Sequence, residues 1–165
     1  MTATEKLQLN LTKNDLPEDV RLDMITLLQG ALADALDLRM QSKQAHWNVK
    51  GPSFIALHEL FDTASDEAAT YSDDLAERLV QLGGVADGTA QTVARTTTLP
   101  KYSTEIRSGK EHVDAYAAAL STFGKRVRQS IDKADAAGDK DTADLFTGIS
   151  RGVDKMLWFV EAHNQ

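Results

Sequence analysis

Four side chains on one stretch of this sequence have the types and spacing of metal ligands. His58 and Asp62 are four positions apart, as are Asp73 and Glu77, and on a helix residues four apart share a face. Eleven positions separate Asp62 from Asp73, and eleven steps of about 100° return close to the same face. Within one chain the two pairs cannot serve one ion. Eleven residues at about 1.5 Å each set them roughly 16 Å apart, whereas metal–oxygen bonds are about 2 Å long.

A twofold axis removes the conflict. Positions 62 and 73 are equidistant from a point near Glu67 and Ala68, and so are 58 and 77. An antiparallel copy of the same helix would set Asp62 against Asp73 and His58 against Glu77. Two identical sites per dimer follow, each drawing on both chains. Carboxylates with imidazole suit a divalent ion of intermediate hardness such as Fe(II) or Mn(II), and zinc accepts the same donors. His46, one helix earlier, can add a nitrogen ligand. Spacing alone leaves a second reading open. Acidic pairs four apart are mostly solvated helix faces, and 25 residues of this chain are Asp or Glu.

The elements that must position these groups are helices. Apolar residues recur at three and four from Pro17 to Asn48, with Asp15 and Glu18 around Pro17 as the N-terminal signature. Gly51-Pro52 ends that stretch. The second runs from Ser53 to Leu82 and is stopped by Gly83-Gly84. Gly83 to Tyr102 is long for a connection inside a bundle; it can hold a short helix near Thr89 to Arg95 and can run the bundle's length. The third helix is expected from Ser103 to Ala137, where Gly138 breaks it. Asp141 with Asp144 reads as the cap of the fourth, whose stripe is Leu145, Phe146, Ile149, Val153, Leu157 and Val160. The sequence thus predicts an all-α four-helix bundle with one long crossover, spanning 15–165 behind a short tail of residues 1–14.

Composition narrows the function. With 165 residues and no cysteine, the chain has the length of one domain, no disulfide and no thiol chemistry, which fits a reducing compartment and a cytoplasmic location. No run of about 18 apolar residues marks a membrane span, and Met1 to Asn14 lacks the apolar stretch of a secretory signal. The formal charge of −7 favours cations over polyanions.

The block Lys43-Gln44-Ala45-His46-Trp47-Asn48-Val49-Lys50-Gly51-Pro52, followed by Phe54, Leu57-His58 and Leu60-Phe61-Asp62, closely resembles the signature of the Dps family of ferritin-like proteins. Asp73, Leu75-Ala76-Glu77-Arg78 and Gln81-Leu82-Gly83-Gly84 continue it, as do Ser150-Arg151, Asp154-Lys155 and Leu157-Trp158-Phe159. The resemblance implies a hollow homo-dodecamer of tetrahedral symmetry. It also implies Fe(II) oxidation, with hydrogen peroxide preferred in many members and dioxygen also used, and storage of the ferric product. His46, His58 and Asp62 match the ligands of one subunit, Asp73 and Glu77 those of its twofold partner.

Three further expectations follow from the resemblance. Trp47 is either packing where helices meet or an electron donor near iron, with packing the primary role; Trp158 belongs to the core. Acidic residues near the start of the last helix, Asp135, Asp139, Asp141 and Asp144, are candidates for an iron-entry pore, although Lys140 interrupts them and Asp141 suits a cap equally well. Members that coat DNA do so with basic tails, whereas the tail here carries only Lys6 and Lys13 against Glu5. DNA binding is therefore expected to be weak or absent. A nucleoid-binding protein with secondary iron chemistry is the alternative, and an inert scaffold a third reading that the filled ligand positions disfavour.

Overall fold

Apolar residues at three- and four-residue spacing give each long helix one buried stripe, and the computed structural model, which describes residues 9–165, packs four such stripes together. The elements are α1 (Glu18–Asn48), α2 (Phe54–Gln81), α3 (Ala90–Thr96), α4 (Gly109–Ala136) and α5 (Lys140–Glu161), closed by a 3₁₀ turn at Ala162–Asn164. Short turns make α1–α2 and α4–α5 hairpins. These pack face to face around Leu28, Leu38, Phe61, Tyr116, Phe123 and Phe146, each at most 1% exposed. Gly83 and Gly138, at φ +94° and +84°, end α2 and α4 in the left-handed conformation that glycine adopts without steric cost.

The crossover from α2 to α4 lies along α1 and is tied to it by polar residues on that helix. The Gln29 amide exchanges two hydrogen bonds with the backbone of Asp87, both 2.9 Å. Asp34, fully buried, accepts from Thr98 N at 2.7 Å, Thr98 Oγ1 at 2.8 Å, Thr97 Oγ1 at 3.2 Å and Arg126 Nη1 at 2.8 Å. Gln41 donates to the Pro100 carbonyl at 3.0 Å. These contacts explain polar residues on an otherwise apolar face, since a buried polar group is tolerated when it is hydrogen-bonded.

Four local expectations are corrected. Helix α4 begins at Gly109 rather than Ser103, because Ser108 and Glu111 form a capping box in which Ser108 Oγ accepts from Glu111 N at 3.3 Å and Ser108 N donates to Glu111 Oε2 at 2.8 Å. Asp139, not Asp141 with Asp144, caps α5, accepting from Thr142 N at 3.0 Å. At α1, Pro17 holds the cap position and no side chain caps the helix. Trp158 is 63% exposed, not core. The large apolar residues buried on α5 are Phe146, Ile149, Val153, Met156 and Val160, and a residue two past Met156 lies about 200° around the helix, on the opposite face.

Candidate metal centre

The Gly51-Pro52 turn folds the start of α2 back along the end of α1, so residues twelve apart in sequence become neighbours. His46 and His58 stack with ring centroids 3.7 Å apart and planes inclined by 22°. Each ring is fixed by the other's backbone: His46 Nδ1 lies 2.8 Å from the His58 carbonyl, and His58 Nδ1 lies 2.9 Å from the His46 carbonyl. A carbonyl oxygen only accepts, so both Nδ1 atoms carry the proton. In the neutral rings both Nε2 lone pairs are then available, the tautomer a metal-binding histidine needs. Sequence spacing could not supply this detail, because it depends on the pairing of two helices.

One turn further along the hairpin, Lys43 of α1 pairs with Asp62 of α2. The Lys43 ammonium, by its hydrogen bond first and its charge second, holds the Asp62 carboxyl below the usual carboxylate range. Lys43 stands within the recognised block, yet sequence reasoning gave it no role. Its signal was positional: the pairs 46/58 and 43/62 are successive rungs of one antiparallel hairpin. A cation on Asp62 shows that the position accommodates positive charge.

Asp73 and Glu77 lie farther along α2, exposed to solvent. Among the described residues no three His, Asp or Glu side chains converge closely enough within one chain to hold an ion. The fold therefore brings His46 and His58 together, places Asp62 on the next rung, and leaves Asp73 and Glu77 apart. Beside Lys43 lies an open groove of about 580 Å³ between α1 and α3, lined by Met40, Lys43, Trp47 and Val93 among others. Met40 is 50% and Trp47 68% exposed, so Trp47 does not pack into the core of its own chain.

The four acidic candidates near α5 have different surroundings. Asp139 is 2% exposed and fully engaged by Thr142 and by Arg78 Nη2 at 2.8 Å. Asp135 pairs with Lys140. Asp141 and Asp144 are exposed, with Asp141 only 3.9 Å from Arg78 Nη1.

Residues 25–165 match the ferritin-like domain family. The chain is 48% identical over 154 residues to the DNA protection during starvation protein of Agrobacterium fabrum, covering 93% of this chain and 95% of that relative. The protein of the same name from Mycolicibacterium smegmatis is 33% identical over 141 residues, 86% of this chain and 76% of the relative. Among solved structures, DpsC from Streptomyces coelicolor superposes with a TM-score of 0.92 at 28% identity, covering 100% of this chain and 96% of that one. Mycobacterium smegmatis Dps superposes at 0.89 with 31% identity, covering 94% of each chain. Bundle, crossover and sequence together define a ferritin-like protein. Within that class, the chain belongs to the Dps family.

Proposed function

We propose that the chain is a mini-ferritin that oxidises Fe(II) at sites shared between twofold-related copies and stores the ferric product in a hollow dodecamer. The observation that carries this reading is the imidazole pair: two rings locked with Nδ1 on carbonyls, both Nε2 atoms free, next to Asp62. An incomplete half-site, with exposed Met40 and Trp47 in the groove beside Lys43, supports completion by a second chain. That chain would bring Asp73 and Glu77. Fe(II) is the substrate, and histidine with carboxylate donors matches its hardness. Hydrogen peroxide is the preferred oxidant and dioxygen a second one. Two Fe(II) ions each give one electron to peroxide, which takes up two protons and leaves as two waters, so no hydroxyl radical is released. The absence of cysteine supports a cytoplasmic location. Among the described residues no helix is long and apolar enough to cross a membrane.

The test is complementation between damaged chains. Shells of Asp62→Ala alone, or of Glu77→Ala alone, should bind little Fe(II). When the two are co-assembled, every mixed twofold pair has one doubly damaged site and one intact site. Random mixing should therefore restore about a quarter of wild-type sites. No recovery in shells shown by mass spectrometry to contain both chains would refute the shared site.

A further inference from the structure

One buried imidazole takes no part in the metal centre. His112, near the start of α4, is 1% exposed, and its Nδ1 lies 2.7 Å from Tyr102 Oη. Burial lowers its pKa, which keeps the ring neutral. A phenol O–H is a stronger donor than a neutral imidazole N–H, so Tyr102 donates to Nδ1 and the ring proton sits on Nε2. The Asn48 carbonyl favours a proton on this ring, yet Nε2 is left buried without a hydrogen-bond partner. An unmatched buried donor costs free energy, and a ligand oxygen would remove that cost.

His112 lines a cavity of about 140 Å³ between the end of α1 and the loop that leads into α4. Gln44, Asn48, Lys50, Thr104 and Arg107 border it as well, and no carboxylate does. The neighbouring acids are engaged: Glu111 accepts from Ser108 N at 2.8 Å and Arg107 N at 3.1 Å, and Glu105 accepts from Arg107 Nη2 at 3.4 Å. Arg107 is fixed by its own loop, donating from Nη1 to the Thr104 and Ile106 carbonyls, both at 3.0 Å.

Charge and size set the ligand. Lys50 and Arg107 against Glu105 leave one net positive charge at the rim. The C-terminal end of α1 and the N-terminal end of α4 both abut the cavity, and their opposite dipoles offset each other. One negative charge is thus matched and two are not. At roughly 30 Å³ per water, the volume takes on the order of five water molecules, room for a small anion. The Gln44 amide and the Thr104 hydroxyl offer further donors.

We propose that this cavity binds a small planar monoanion of the carboxylate type, one oxygen accepting from His112 Nε2–H and the charge facing Lys50 and Arg107. Acetate and bicarbonate present the same O–C–O edge. Tyr102 does not line the cavity; it is a positioning residue, because its hydroxyl holds the proton on Nε2.

Titration of iron-free protein with ¹³C-acetate and, separately, ¹³C-bicarbonate, followed by calorimetry and ¹³C line broadening, tests the site. Wild type should saturate with at least one of them, and the tighter of the two identifies the ligand as a carboxylate or as bicarbonate. Sulfate, a tetrahedral dianion, should bind more weakly. Lys50→Gln, at an exposed position, should weaken binding several-fold. Tyr102→Phe should also weaken it several-fold, since it frees the proton to move to Nδ1. Diffuse attraction to the rim cations would not register the loss of a hydroxyl outside the cavity. Absence of saturation by both probes, sulfate binding as tight as theirs, or either variant matching wild type overturns the proposal.

Discussion

Replacing Asp34 by Asn tests whether the crossover is held by one buried carboxylate. Asp34 is fully buried and accepts four hydrogen bonds, three from Thr97 and Thr98 and one from Arg126. The Asn amide has the same shape, but whichever way it turns, its NH₂ faces either the Thr98 N–H or the Arg126 guanidinium, donor against donor. Removing one partner of a buried ion pair costs about 3–5 kcal/mol. The Arg126 side chain is 30% exposed and can return to water, so the lower end, about 3 kcal/mol, applies. At about 2–4 °C per kcal/mol for a chain of this size, Tm should fall by roughly 6–12 °C. Thermal scans must be made at one protein concentration, because assembly links Tm to it. Amide hydrogen exchange should show Thr98 and Leu99 losing protection before the helix cores do. Thr98→Val, which removes the hydroxyl alone, should cost about 1 kcal/mol. A Tm for Asp34→Asn within about 2 °C of wild type, with crossover amides still protected, would refute the reasoning.

Stopped-flow absorbance of the ferric product, at matched iron and peroxide, should show Asp62→Asn slowed more than His46→Ala, since losing a carboxylate removes charge that neutralises the ion; rates equal to wild type, after subtracting free iron oxidation, would remove this site from the chemistry. Both variants should fold, because the core rests on the apolar stripes. His112 is 1% exposed, with Nδ1 2.7 Å from Tyr102 Oη, and burial pushes its pKa below the ordinary imidazole value. Between that lowered value and about 6.5 the unfolded chain binds more protons, so stability is full above about 6.5 and falls as pH drops through the window. His112→Asn should flatten that slope in Tm-against-pH curves, and parallel curves would count against it. Gel shifts at about 0.15 M salt should show little or no DNA complex, given the sparse tail charge, and retention at that salt would reverse the expectation.

The sequence by itself determined the helices, because the three- and four-residue recurrence of Leu28, Phe61, Tyr116 and Phe146 gives each a stripe that only another helix can bury. It also set the terms of the proposed site, since helical geometry forbids His58–Asp62 and Asp73–Glu77 from meeting in one chain and only a site shared between two chains could use both pairs. Local chemistry that competes at close range was less legible. Asp139 and Asp141 are equally plausible caps in one dimension, and only packing shows that Arg78 draws Asp139 inward. Trp158 was misplaced for a related reason: apolar character says that a residue can be buried, while its angle on α5 decides whether it is. Tertiary structure alone decided the tautomers of His46 and His58, the Lys43–Asp62 pair and the Asp34 fastening of the crossover. Each depends on a contact between segments twelve or more residues apart in sequence, and hydrogen-bond geometry over a few ångströms leaves no trace in periodicity.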